Sequence, residues 1–234
     1  FTTNQILKDK LYEFIKNEPD CILEPSIGQG DLVQHVKSNN QNIKFDMYEI
    51  DKSIKLLDGI DKKSINYGDF MLKSIDKKYQ TIIGNPPFVR TKTGNLYIDF
   101  TSKCFNLLKE NGELIFIVPS DFFKLTCASK LLNKMIAVGS FTHVFHPNNE
   151  NLFDNASIDI IIYRYCKNKN IEKTTLYNEK KLFICNSDGL ITFNEKDNSE
   201  DILVKDLFDV YVGIVSGKEE VYKNKNLGNI EVLN

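Results

Sequence analysis

Three short stretches combine carboxylates or amides with glycine or proline in a spacing that suits ligand chemistry. The first is "EPSIGQGD", running from Glu24 through Ser26, Gly28 and Gly30 to Asp31, directly after the apolar run "CIL". Glycines in a strand-to-helix turn let a ligand approach backbone amides closely. An acidic residue ahead of the turn repels a pyrophosphate and suits a ligand that carries positive charge. The second is "EID", where Glu49 stands 19 positions after Gly30, near the offset of roughly 20 residues at which a carboxylate accepts from ribose hydroxyls. Asp51 there equally suits a helix cap. The third is "GDF", in which Asp69 can accept from an aromatic amino group and Phe70 can pack on a flat ring, or can equally serve as core beside an exposed aspartate.

A fourth stretch, "GNPPFVRTKTGN", follows the apolar run "YQTII" and places Asn85, Pro86, Pro87 and Phe88 at a strand end, ahead of a basic loop with Arg90 and Lys92. Proline has no amide hydrogen and holds the preceding residue extended, so Asn-Pro is a common strand stop.

The elements needed to position these residues are readable from periodicity. "NQILKDKLYEFIKN" sets Ile6, Leu7, Leu11, Phe14 and Ile15 at helical spacing with Thr3 as a candidate cap. Strands are expected at 21–24, 43–50, 64–67, 79–84, 113–119, 140–145 and 157–165, with helical segments at 96–109 and 121–138. Strands separated by helices, several of them apolar on both faces, predict a parallel sheet in a doubly wound, Rossmann-like α/β domain with helices on both faces. After 166 the texture changes. "KLFICNSDGLITFNE" predicts a hairpin around Ser187-Asp188-Gly189, and "LFDVYVGIVSGKEEVY" alternates like β structure. The expected organisation is a first domain at 1–166, a linker and hairpin region at 167–205, and from 206–234 the start of a smaller β-rich domain.

The chain has 234 residues, 41% hydrophobic and 26% charged, so a sizeable core is expected. A formal net charge of -2 supplies no global basic field, and contact with a polyanion must then come from local patches. The five cysteines are scattered, which reads as free thiols in a reducing compartment. With no signal peptide and no long apolar run, a cytoplasmic protein without membrane contact is expected. Phe1 in place of a methionine reads as a piece of a longer protein. His143 and His146, three apart on a strand, point to opposite faces, and no metal is expected.

Glycine turn, acidic second strand end, Asp-Phe after the third strand and Asn-Pro-Pro-Phe after the fourth resemble the S-adenosylmethionine-dependent adenine-N6 methyltransferases over about residues 1–166. With Thr2 and the first helix ahead of the glycine turn, the motif order resembles the gamma class of DNA adenine methyltransferases. The resemblance implies S-adenosyl-L-methionine as cofactor, held by Thr2, Glu24, Ser26, Gly28, Gly30, Glu49, Ile50, Asp69 and Phe70. It implies catalysis by Asn85, Pro86, Pro87 and Phe88. The Asn85 side-chain oxygen and the Pro86 carbonyl accept the two amino hydrogens of a flipped-out adenine, and Phe88 stacks on its ring. Phe153 resembles the aromatic on the base's other face, with Phe145 nearby, and Arg90 and Lys92 suit phosphate contact. Double-stranded DNA is the implied partner, with a cognate restriction endonuclease beside it and a target recognition domain after the catalytic one. Glu24-Pro25 in place of Asp-Pro, Thr3 in place of proline and Phe88 in place of tyrosine are departures that remove no needed group. RNA adenine-N6 and protein glutamine-N5 methyltransferases present the same planar NH2 to the same acceptors, and a binding module without transfer is a further alternative.

Overall fold

The computed structural model describes residues 2–91, 94–153, 157–197 and 207. Helix α1 (Gln5–Glu13) leads into β1 (Cys21–Glu24), α2 (Asp31–Asn39), β2 (Lys44–Glu49), β3 (Ile65–Tyr67) and β4 (Tyr79–Gly84). A two-residue ladder, β5 (Arg90–Thr91) with β6 (Gly94–Asn95), precedes α3 (Leu96–Leu107) and β7 (Leu108–Pro119). Then come α4 (Ser129–Val138), β8 (Ser140–Phe145), β9 (Ile160–Cys166), β10 (Thr174–Tyr177), β11 (Lys180–Ser187) and β12 (Leu190–Asn194). The expected helical segment at 121–138 is α-helical only from Ser129, with short 3-10 turns before it.

Among the described residues ten strands form one sheet, in the order β12-β11-β10-β8-β9-β7-β4-β1-β2-β3. The expected parallel pairing holds from β3 through β2, β1 and β4 to β7. It fails at β9, which runs antiparallel between β7 and β8. The described part of the β8–β9 connection contains no helix, so the chain re-enters the sheet from the end at which it left.

The sheet separates two cores by strict alternation. Ile22, Ile83, Ile115, Ile117, Ile160 and Ile162 face α1 and α2, where Leu7, Leu11, Phe14, Leu32 and Val36 meet them. Their neighbours Leu23, Ile82, Phe116, Val118, Ile161 and Tyr163 face α3 and α4 in a core rich in aromatics. Helix α1 starts one residue later than its sequence suggests. Asn4, rather than Thr3, caps it, its side-chain oxygen accepting from the amides of Ile6 and Leu7, and Ile6 points to solvent.

The hairpin at Ser187-Asp188-Gly189 is present, with Asp188 and Gly189 both at positive φ, 52° and 86°, as a two-residue turn matched to strand twist requires. It does not stand apart from the first domain, however. Strand β10 pairs with β8 through Leu176↔His143 and Tyr177↔Val144, and β11 and β12 add to it, because Tyr177, Ile184 and Phe193 find apolar cover on the aromatic core. The expected linker region therefore supplies three strands of the same sheet, inside a compact unit spanning Phe1–Asn198. The expected start of a further domain at 206–234 lies outside the described residues except for Leu207.

At the amino ends of the parallel strands, one buried carboxylate ties five segments together. Glu113 accepts from the amides of Lys16 and Asn17 just after α1, at 3.2 and 3.1 Å, and from the Thr81 hydroxyl on β4 at 2.9 Å. Arg164 on β9 donates to it at 2.7 Å and reaches Thr142 on β8 at 2.7 Å with another nitrogen. Removing one member of a buried ion pair leaves the other charge unpaired, so Glu113→Ala is expected to cost about 3–5 kcal/mol in urea unfolding. The double change Glu113→Gln with Arg164→Met should recover most of that loss.

Candidate active site

Strands β1 and β4 are neighbours, yet the chain leaves β1 toward β2 on one side and later returns to β4 on the other. Their carboxyl ends consequently open a crevice at the point where strand order reverses, the usual ligand position in such sheets. The turn after β1 lines it. Gly28 and Gly30 have φ of 59° and 100°, and a Cβ on Gly30 would stand 2.8 Å from the Ile60 side chain. Both features require glycine. Glu49, at the end of β2, holds this turn: its Oε2 accepts from the Gly28 amide at 2.8 Å, and its Oε1 accepts from the amides of Ile50 and Asp51 at 2.8 and 3.0 Å. One lone pair on Oε2 stays free for a donor from the crevice. Asp51 caps no helix and instead accepts from Ser53 in a local turn, while Ile50 beside it is 68% exposed.

Glu24 is the electrostatic anomaly of the crevice. Its side chain is 1% exposed, Oε1 accepts from the Ser26 amide at 3.2 Å, and Oε2 has no protein partner. Burial pushes its pKa from the ordinary 4.5 to about 8, with the Ser26 amide opposing and the charge of Glu49 adding to the rise. Gly84 makes room for it, since a Cβ there would lie 3.0 Å from Oε1. A buried carboxylate with an orphaned oxygen is matched by a ligand cation or donor entering from the crevice.

On the far side, Asp69 caps the turn Phe70–Leu72 by accepting from the Met71 amide at 2.8 Å with Oδ1. Phe70 is buried against Tyr48 and Phe100. Lys103 of α3, which no sequence signal distinguished from a solvated lysine, donates to the carbonyls of Phe70, Met71 and Lys73 and lies over the Phe70 ring. It fixes the loop that carries Asp69.

Asn85 follows β4 directly. Its side-chain nitrogen donates to the Thr2 hydroxyl at 3.0 Å, and its backbone carbonyl accepts from the Ser26 hydroxyl at 3.4 Å. Pro86 is buried and Pro87 half-buried. Phe88 meets Phe153 edge to face at 6.5 Å between centroids, and Tyr97 at 5.9 Å. Phe153 belongs to the connection between β8 and β9, whose base is closed by His146 and Asp159 at 2.7 Å. Phe145 lies instead beneath the Lys10 ammonium. Arg90 is exposed on β5, and Lys92 lies outside the described residues. Thr2, Ser26, Glu24 and Asn85 thus converge on the crevice, with Glu49 and Asp69 along its wall.

A sequence profile of the Eco57I restriction-modification methylase family matches residues 4–153. The chain belongs to that family. A type II methyltransferase of Haemophilus influenzae, M.HincII, is 31% identical, over 76% of this chain and 39% of its own length. The type II methyltransferase M.AccI of Acinetobacter calcoaceticus is 26% identical, over 67% of this chain and 34% of its own. The chain spans well under half the length of the curated relatives it matches. Among solved structures, a type I restriction-modification methyltransferase subunit from Streptococcus thermophilus superposes with a TM-score of 0.59 at 14% identity, covering 84% of this chain and 50% of that one. A class I S-adenosylmethionine-dependent methyltransferase from Listeria monocytogenes does so at 0.53 and 14%, covering 71% and 60%. The fold of this Eco57I-family chain is that of the class I methyltransferases. Among the described residues no helix is long and apolar enough to cross a membrane.

The raised Glu24 carboxyl makes the stability of this family member pH-dependent with a definite sign. Below about pH 4.5 the group is protonated in folded and unfolded chains alike; between 4.5 and 8 the unfolded chain ionises while the folded one resists, so stability falls as pH rises through that window. Glu24→Gln is expected to raise the Tm of the ligand-free protein at pH 8.5, by on the order of 5 °C, and to change it little at pH 4.5.

Proposed function

We propose that this chain is the catalytic part of a DNA methyltransferase of a restriction-modification system, which transfers a methyl group from S-adenosyl-L-methionine to N6 of an adenine flipped out of double-stranded DNA. The observation that carries the reading is the Asn85 amide at the crevice mouth, its nitrogen occupied by Thr2 and its oxygen left to accept. Family membership and the names of the type II relatives support the DNA substrate and a cognate endonuclease as partner.

The residues fit the cofactor. Glu24, buried with one oxygen unpaired, suits its ammonium group; the free lone pair of Glu49 suits ribose hydroxyls; Asp69 Oδ2 suits the adenine amino group, with exposed Ile50 for the ring face. When bound, S-adenosyl-L-methionine supplies an electrophilic methyl on a sulfonium sulfur. The remaining work falls to this chain. The exocyclic nitrogen of adenine is a weak nucleophile because its lone pair is delocalised into the ring. Hydrogen bonds from its two N–H groups to Asn85 Oδ1 and the Pro86 carbonyl localise that pair and aim it. On accepting a methyl group the nitrogen would become cationic and would shed one proton to solvent, with Asn85 Oδ1 and the Pro86 carbonyl holding its N–H groups up to that point. The two prolines keep the carbonyl aimed without reorganisation. Phe88, and Phe153 across from it, receive the flipped ring, and Arg90 with Lys92 meets the phosphates beside it.

Methylation-sensitive sequencing of DNA from cells expressing the full-length protein should show N6-methyladenine at one sequence motif. Methyl transfer to RNA or to a protein glutamine, with DNA untouched, would replace this reading. Asn85→Ala should lower the transfer rate by about 10²–10³-fold while leaving cofactor affinity within a few-fold, as calorimetry and single-turnover assays can separate. Arg90→Ala should weaken binding to cognate and scrambled duplexes alike in fluorescence anisotropy and reduce its salt dependence.

A further inference from the structure

A primary amide presents two ends of nearly equal size, one an acceptor and one a donor. Turned by half a rotation, Asn85 would point an NH2 at the amine it is meant to receive, and the contact would become repulsive. Something must tell the two ends apart. The backbone of Asn85 is held by the Ser26 hydroxyl, so the remaining freedom is rotation of the side chain itself. Its contact is Thr2 Oγ1, 3.0 Å from Nδ2, on a residue only 4% exposed, where water competes little. Thr2 comes from 83 positions upstream. A hydroxyl can donate or accept, and by itself tolerates either end of the amide. Once its single proton is committed to another acceptor, only lone pairs remain for Asn85, and the amide must offer nitrogen to Thr2 and oxygen to the crevice.

We propose that Thr2 couples cofactor occupancy to the orientation of the Asn85 amide, by giving its hydroxyl proton to an acceptor on the bound cofactor and so accepting from Asn85 Nδ2. The inference rests on the reading of Asn85 as the amine acceptor and adds to it a positioning residue that acts before the base arrives. It also gives order to the site: before the cofactor arrives the Thr2 hydroxyl can still donate, so the Nδ2 contact seen here is one of two senses it allows, while a loaded site keeps only that one.

The test uses the full-length protein carrying Thr2→Val or Thr2→Ser, each alone and combined with Asn85→Asp. Two carboxylate oxygens are alike, so the Asn85→Asp background has no ends to tell apart. Single-turnover methyl transfer at saturating cofactor and DNA should fall by about tenfold to a hundredfold in Thr2→Val and by less than about threefold in Thr2→Ser. In the Asn85→Asp background the Thr2→Val loss should shrink to less than about threefold. Independently of turnover, the side-chain NH2 resonances of Asn85, assigned by their loss in Asn85→Asp, should shift and sharpen when S-adenosyl-L-methionine is added without DNA to wild type and Thr2→Ser. They should not respond in Thr2→Val. Equal losses in both backgrounds, or an Asn85 resonance that responds to cofactor without the hydroxyl, would overturn the coupling. If the unmodified protein transfers no methyl to adenine, the functional reading fails, and the resonance experiment still decides the role of Thr2.

Discussion

Three backbone amides converging on one carboxylate, those of Gly28, Ile50 and Asp51 on Glu49, set the shape of the crevice. The bond from Gly28 is the link between the turn after β1 and the end of β2. It holds the glycines in conformations that L residues avoid, and it thereby directs Glu24 inward, against Gly84. Burial, with the charge of Glu49 adding to it, drives this second carboxyl toward its neutral form. The glycine turn is thus less a flexible loop than a braced arch whose keystone is a charge.

Helix α1 connects that arch to the opposite end of the sheet. Its amino end lies beside Thr2 and Asn85, while the two amides after its carboxyl end are held by Glu113. The buried face of Leu7, Leu11 and Phe14 locks it onto the strands between. A nine-residue helix is too short to be stable alone in water, so its position depends on these tertiary ties. The residue that touches the Asn85 amide is in this way referenced to the same strands that carry that amide.

Much of the fold was legible because strands crossing a two-sided core must be apolar throughout, and Ile82-Ile83 or Ile160-Ile161-Ile162 can be little else. Glycines with positive φ and the Asp-Gly turn were legible for a local reason, since few residues adopt those conformations. The pairing direction of β9 was not legible, because an apolar run looks the same whether its neighbours are parallel or antiparallel. Nor was the membership of β10 to β12 in the main sheet, whose half-exposed alternation reads equally as a hairpin within a linker. At the site, carboxylates and the Asn-Pro-Pro-Phe run were visible by type and spacing. Lys103 was not, since its role lies in three carbonyls that any residues could supply. The unpaired oxygen of Glu24 emerged only with the packing around it.

The placement of β9 has a consequence for how the chain is made. It sits between β7 and β8, and its register joins Glu113 to Cys166 and Ser140 to the same residue. A chain emerging from the ribosome as far as β8 therefore holds two strands with a gap one strand wide between them and an aromatic core open on one side. That gap is filled only after both its neighbours are made, by a strand whose contacts close loops of some fifty residues with β7, Glu113 and Arg164 being 51 apart. Such late closure slows folding and leaves pairing-competent strands exposed until it occurs. A nascent chain of this kind depends on being shielded from its neighbours until Cys166 has cleared the exit tunnel.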